Sequence, residues 1–396
     1  IAQRCLYGVD ISPMAVQLGR LSLWLATLSA DRPLTFLDHR LVCGNSLLGA
    51  SPIDVARQPP TVGARGFNPR TPTPLFTDAE LEPSLARAVE ARRWISETDD
   101  GSVDIVREKE KRLDGLRHAT RWKEVADLWC ACWLWPDAAT APGGGVFAAL
   151  SDALTGAHSP LPDAAAASLL KQSQQVARSR RFFHWMLEFP EVYFDDQGQP
   201  LANAGFDAVL GNPPWDMLPA DSGEKPFFRR SGVYRHQGSG RINRHQVFVE
   251  RALTLAKRGG RIGLVLPSGF ATDHTSAQLR RRLLTHSSVD AISGFDNRKA
   301  IFPIHRSVRF VICTSTVGAA TSRSACRFGS DDPAILESIP DAGDRPNGSS
   351  HPITLTPALI SALTGDRLAI PELRSAADVR ILEGIVHRVP RLGEAA

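Results

Sequence analysis

Apolar and polar positions divide the chain into two strand-and-helix stretches separated by a helical one. Leu6-Tyr7-Gly8-Val9-Asp10-Ile11 is a short apolar run broken by one carboxylate, the pattern of a strand that ends in a polar tip. Ser12 and Pro13 follow as N-cap and first helical residue. Met14, Leu18, Leu21, Leu25 and Leu28 recur at helical spacing, which predicts a helix with one face packed on a sheet. Asp31-Arg32-Pro33 stops that helix, because proline cannot continue it. A second strand, Arg40 to Cys43, ends in Gly44-Asn45-Ser46. The second stretch opens on the apolar run Ala208 to Leu210, a short buried strand closed by Gly211 and two prolines. Gln246 to Lys257 is an amphipathic helix closed by Gly259-Gly260, and Arg261 to Leu266 is a fully buried strand ending at Pro267. Thr272 is read as the cap of a further helix whose Arg280-Arg281-Arg282 run faces solvent, and Val289 to Phe295 and Val308 to Thr316 are two more apolar runs. Strands alternating with helices predict an α/β fold.

The intervening residues read differently. Residues 51–77 are rich in Pro, Gly and Thr and are expected to form an irregular loop. Leu81 to Thr98 and Val103 to Leu116 carry the mixed charges of solvated helices, while Trp122, Leu128, Trp133 and Trp135 supply apolar bulk for a local core. Gly143-Gly144-Gly145 is a break. Gln172 to Arg181 is a basic helix end that is either a solvated face or a phosphate contact, and Trp185 reads as core. Gly329 to Pro352 has a linker's composition. The expected division is therefore 1–50, a mainly helical insertion at 51–204, a catalytic part at 205–320, and a linker with the start of a further region at 321–396.

Composition narrows the class. Hydrophobic residues at 43% and charged ones at 22% over 396 residues describe a globular, non-membrane chain of two or three domains, and no apolar run approaches the about 20 residues of a membrane span. The net charge of +4 permits a nucleic-acid partner without requiring one. The six cysteines form no C-x-x-C pair, so thiols in a reducing cytoplasm are expected rather than disulfides or zinc. No Asp…Glu-x-Lys nuclease constellation is present.

The chemistry concentrates at the tips of the expected strands. Asp10 can accept from two ribose hydroxyls, Ile11 can lie against an adenine face, and Asn45, followed by Ser46, can bond the ring's amine, the format of a nucleoside site at a parallel sheet's carboxyl edge. At the tip of the later strand, Asn212-Pro213-Pro214-Trp215 offers an amide side chain, a backbone carbonyl and a flat ring, a site for a planar heterocycle bearing an amine. The loop from Asp216 to Arg244 interleaves Lys225, Arg229, Arg230, Arg235, Arg241 and Arg244 with Phe227, Phe228 and Tyr234, which reads as a phosphate-gripping lid or, alternatively, as a disordered linker.

The run Phe206 to Trp215 resembles the Asn-Pro-Pro-Trp motif of S-adenosylmethionine-dependent DNA adenine-N6 methyltransferases. Gly8-Val9-Asp10-Ile11-Ser12-Pro13 and Gly44-Asn45-Ser46-Leu47-Leu48-Gly49 resemble two further motifs of the large restriction-modification members of that group, including type IIG and phage-defence enzymes. Asn45 stands where the wider superfamily often has Asp. The resemblance implies a Rossmann-like class I methyltransferase sheet closed by an antiparallel strand pair. It also implies S-adenosylmethionine as cofactor, double-stranded DNA as substrate, separate restriction or specificity subunits as partners, and a prokaryotic cytoplasm. It makes Asn212, Pro213, Pro214 and Trp215 catalytic and points to Phe302 as a second ring against a flipped base; from the residues alone Phe302 would be core. Two rival expectations are a glutamine-N5 protein methyltransferase, as Asn-Pro-Pro-Tyr release-factor enzymes are, and an inactive DNA-binding remnant. The chain starts at Ile1, and the glycine-rich loop and first strand that precede Asp10 in such enzymes are not in it. It is therefore expected to be a fragment that binds S-adenosylmethionine poorly by itself; micromolar binding by calorimetry would contradict this.

Overall fold

Glycines and prolines set the ends of most elements, and the apolar runs between them form the two cores. The computed structural model describes residues 2–26, 37–56, 78–119, 121–219, 221–238, 240–338 and 352–389. The expected helix stop at Asp31-Arg32-Pro33, with Leu28, and most of the 51–77 and 329–352 loops lie outside these residues. The chain divides into two compact units, Ile1–Ala204 with Gly223–Val233, and Gly205–Ser222 with Tyr234–Ala396.

In the first unit β1 (Gly8–Asp10) and β2 (Leu41–Cys43) pair in parallel, with Asp10 opposite Cys43. Helices α1 (Ala2–Cys5) and α2 (Pro13–Ala26) flank β1. Met14, Leu18, Leu21 and Leu25 of α2 are exposed, contrary to the packed face expected, and Val16 is the helix's buried residue. Among the described residues the sheet beside it has two strands, about 5 Å apart, too narrow a platform to cover a helix of this length. The helical region comprises α3 (Pro52–Val55), α4 (Asp78–Glu97), α5 (Val103–Ala119), α6 (Arg121–Trp133), α7 (Gly144–Thr155), α8 (Asp163–Arg180), α9 (Trp185–Glu188) and α10 (Lys225–Arg230). Its centre is α6, where Val125, Leu128, Trp129 and Cys130 have no exposed surface and Trp129 meets Phe227 of α10 edge-on. A buried ion cluster ties β2 to this region: Glu191 accepts from Arg92 at 2.7 Å and from Arg40 at 3.4 Å, and the Arg40 guanidinium lies 4.1 Å from the centre of the Tyr7 ring.

The second unit is built on a mixed sheet of order β3-β4-β6-β5-β7-β8. Strands β3 (Phe206–Gly211) and β4 (Ala256–Pro267) are parallel, with Gly211 opposite Leu264. Strand β5 (Ser287–Asp296) and strand β6 (Arg309–Val317) form the expected antiparallel pair, and β6 also runs antiparallel to β4. Strands β7 (Ser324–Ser330) and β8 (Ile353–Leu355) complete the sheet. Helices α11 (Arg244–Leu255), α12 (Gly269–Thr272), α13 (Ala277–His286), α14 (Pro357–Thr364) and α15 (Ala376–Arg388) accompany it. Val249, Leu266, Leu279, Val289, Cys326 and Leu355 belong to one continuous core. Among the described residues no helix is long and apolar enough to cross a membrane.

Arg280 departs from the solvent-facing reading of its run. It is fully buried, and its guanidinium donates to the carbonyls of Leu368 (2.9 Å), Phe270 (2.7 Å), Asp273 (2.8 Å) and Arg367 (2.6 Å). Burial lowers its pKa to about 10. One side chain thus fastens the segment 367–368 to α12 and α13, and three consecutive arginines in the sequence hide which of them turns inward.

Two buried histidines make stability sensitive to acid. Burial lowers the His39 pKa to about 3, helped by the Arg92 and Lys109 charges, and lowers His245 to about 4. Both ring nitrogens of His245 are buried and, among the described residues, without a hydrogen-bond partner. Below the ordinary histidine pKa of about 6.5 the unfolded chain takes up these protons and the folded chain does not. Stability is therefore expected to be fully present above about pH 6.5 and to fall as pH drops toward 4. Melting curves across that range check this, with His245→Leu flattening the dependence.

Candidate active site

The turn after β3 is fixed by its own prolines and by one indole. Leu210 and Gly211 end the strand exposed, Asn212 is exposed, Pro213 is buried, Pro214 is exposed and Trp215 is half-buried. Among the described residues neither the Asn212 side chain nor the Pro213 carbonyl takes a hydrogen bond, so both oxygens remain available as acceptors. The Trp215 Nε1 donates to the Val265 carbonyl at 3.3 Å, which holds the indole against the end of β4. Asp216 and Arg244 pair at 3.0 Å just beyond it.

Behind Trp215 lies an aromatic stack. The Phe310 ring lies 6.1 Å away, with the planes 30° apart, and Phe295 continues the stack at 5.2 Å and 12°. Phe302 meets Trp215 at 6.4 Å with its plane at 89°, an edge contact rather than a parallel slot between two rings. Phe302 is positioned by Asn297, whose Oδ1 accepts its N–H at 2.9 Å and whose Nδ2 donates to its carbonyl at 3.2 Å. Asn297 and Phe310 did not stand out in the sequence. The register of the β4–β6 pair, which sets Phe310 opposite Pro267, is the signal that finds the latter.

The strand tips of the first unit form a second cluster. Asp10 is exposed at the end of β1, and its Oδ1 accepts the Ser12 N–H at 2.7 Å. Ile11 is 53% exposed, leaving an apolar side chain open beside that carboxylate. Gly44 donates its N–H to the Asp10 carbonyl at 2.9 Å, which brings the Asn45 turn to the same edge. Asn45 Oδ1 accepts the Leu47 N–H at 3.1 Å, so one of its lone pairs is already used inside the turn. Ser46 accepts the Trp185 indole N–H on its carbonyl at 3.0 Å, and Trp185 packs against Phe183 and Phe189. Gly49 is required here, because a Cβ would sit 1.9 Å from the Phe183 carbonyl oxygen. His184 accepts the Ala50 N–H on Nδ1 at 3.0 Å, which leaves Nε2 to donate to Asp127 at 2.9 Å.

The residues expected to form one basic lid divide between the units. Arg229 and Arg230 lie on α10 in the first unit, whereas Arg235, Arg241 and Arg244 belong to the second. The interleaved rings do not present stacking faces: Phe227, Phe228 and Tyr234 are buried anchors. Their apolar area favours burial over exposure in a loop. Glu250, also buried, accepts the backbone N–H groups of Arg235 and His236 and the Gln237 side-chain amide, which holds that part of the segment to α11. Among the described residues, Arg230 and Arg241 are exposed and make no ion pair.

A sequence profile of the Eco57I restriction-modification methylase family matches residues 4–302, a span that takes in both strand-tip clusters and Phe302. The chain belongs to that family. A relative from Methanocaldococcus jannaschii, bearing the name of a type II restriction enzyme and methyltransferase, is 23% identical over 304 residues, 71% of this chain. The match covers 23% of that relative, so this Eco57I-family chain spans about a quarter of its length. Among solved structures, the type IIG restriction endonuclease BpuSI overlaps 81% of this chain and 43% of its own, at 14% identity and a TM-score of 0.34. A type I restriction-modification methyltransferase subunit from Streptococcus thermophilus overlaps 53% and 46%, at 16% identity and a TM-score of 0.33.

Proposed function

We propose that this chain carries the catalytic turn of a DNA adenine-N6 methyltransferase in a restriction-modification or phage-defence system, using S-adenosylmethionine. The observation that carries the reading is the pair of free acceptors, Asn212 and the Pro213 carbonyl, beside the half-buried Trp215 at the carboxyl end of β3. An adenine amino nitrogen is a weak nucleophile because its lone pair is delocalised into the ring. Accepting its two hydrogens on two fixed oxygens draws the nitrogen toward a tetrahedral form and localises that lone pair. Trp215 holds the ring plane by stacking, and Phe302 limits it edge-on. With the cofactor bound, that nitrogen would be the nucleophile toward the methyl group the cofactor would supply, and its surplus proton would leave to solvent. Positioning and electrostatics provide most of the help. The base has to leave the duplex, which costs a few kcal/mol and is offset in part by stacking on Trp215.

The first unit supplies groups that fit the cofactor. An exposed carboxylate with an open apolar side chain next to it, Asp10 and Ile11, suits ribose hydroxyls and an adenine face. The Asn45 side chain, with Oδ1 partly engaged, retains its Nδ2 donors for a ring nitrogen and one lone pair for the ring amine. S-adenosylmethionine supplies an electrophilic methyl group when bound. Separate restriction or specificity subunits complete the proposed system, with the DNA backbone met by Arg229, Arg230, Arg235, Arg241 and Arg244. The test is tritiated methyl transfer by the whole protein to DNA and to protein substrates. Label recovered as N6-methyladenine supports the reading, and label confined to protein would overturn it.

A further inference from the structure

The same edge of the second unit's sheet carries a cavity of about 130 Å³ with no part in the reaction just described. Its wall is made where β5 ends at Asp296, β6 begins at Arg309 and β7 ends near Gly329, with Glu372 and Arg374 closing one side. The acids at its rim are already engaged. Asp296 pairs with Arg298 at 2.9 Å, Glu372 with Arg309 at 3.3 Å, and Asp331 with Lys299 at 3.1 Å.

Arg374 is the surplus charge. Among the described residues its guanidinium makes no hydrogen bond or ion pair. The side chain is laid over Gly329, whose φ of +77° is the left-handed conformation that favours glycine, and a Cβ there would lie 3.3 Å from the Arg374 Nε. The backbone beneath is shaped to let the guanidinium lie flat at the cavity. A guanidinium has five donors and no acceptor, so its natural ligand is an anion with several oxygens. A nucleobase is a poor fit, because the nearby Phe295 and Phe310 rings are buried and offer no open face for stacking. Phe310 also lines this cavity while its ring stacks on Trp215, so the cavity lies one ring away from the turn where the base is placed.

We propose that this cavity seats a backbone phosphate of the DNA strand that delivers the target base, with Arg374 as its principal contact and Arg309 as its reserve. The assignment rests on the methyltransferase reading for the position of the base, but its test does not depend on turnover. Binding of the whole protein to a fluorescein-labelled duplex of mixed sequence is measured by anisotropy over a series of KCl concentrations. Each lost phosphate contact lowers the slope of log affinity against log salt by about one. Arg374→Met is expected to show that loss and about tenfold weaker binding, and Arg374→Lys to recover most of the slope. Glu372→Gln, which releases Arg309, is expected to steepen the slope. If Arg374→Met keeps the wild-type melting temperature and the wild-type slope, the assignment fails. If Arg374→Met does not fold, Glu372→Gln decides: a steeper slope supports the phosphate seat and an unchanged one overturns it. Absence of DNA methylation by the wild-type protein would sink the methyltransferase reading alone, since the salt slopes score the cavity separately.

Discussion

Asn212→Ala is expected to lower the rate of methyl transfer to DNA by about two to three orders of magnitude, the usual loss when one preorganised hydrogen-bonding partner of a reacting group is removed. The side chain is exposed and makes no hydrogen bond among the described residues, so the variant should melt within the range of an ordinary surface substitution, about 0.5 kcal/mol. Single-turnover rates measure the loss, and melting curves exclude unfolding as its cause. DNA affinity should change little, because in the proposed reaction the amide meets one amine and not the backbone. Trp215→Ala makes an instructive contrast. It removes the stacking surface, the bond to the Val265 carbonyl and the contact with Phe310, so activity and stability should fall together. A wild-type rate for Asn212→Ala would mean that the free amide at the strand tip is incidental.

Arg280→Met is expected to destabilise the protein by about 3 kcal/mol or more, since four carbonyls lose a shared donor and two of those bonds, to Leu368 and Phe270, are fully buried. For a unit of this size that corresponds to a fall in melting temperature of roughly 10 °C. Lysine at 280 should rescue little. An ammonium is a single point with three donors, and it cannot span carbonyls contributed by α12, its C-terminal neighbour Asp273 and the segment 367–368. Differential scanning calorimetry would show the effect. A shift of a degree or less would mean that the carbonyls find other partners when the guanidinium is gone.

Local chemistry was the legible part of this chain. The run Ala208 to Leu210 followed by Gly211 and two prolines located the strand and its turn but not its burial, since Ala208 and Leu210 are exposed where a buried strand was expected, and the Asp10 and Asn45 strand tips were found from the same kind of apolar run closed by a polar residue. The antiparallel order of β5 and β6 came from the family resemblance rather than from periodicity. What escaped the sequence depends on which way a side chain turns. Phe227, Phe228 and Tyr234 look like rings in a polar loop, yet each is buried, because nearby charges in the sequence do not say which neighbours a ring meets in space. Arg280 is chemically identical to Arg281 and Arg282, and only a ring of distant carbonyls distinguishes it. The apolar stripe of α2 had the right period for packing and still lies open, since period describes a helix's own surface and not the width of what lies beneath it.

The placement of β3 at one margin of its sheet bears on how the turn moves. Among the described residues that strand has a ladder partner on one flank only, and its penultimate residue, Leu210, is 82% exposed. Amide protons along such a margin exchange with solvent through small local openings, whereas those of β4, held on both flanks, wait for larger ones. Asn212 is thus mounted on a part of the sheet that breathes at low free-energy cost, and deuterium uptake at the turn should run well ahead of uptake in the strand beside it.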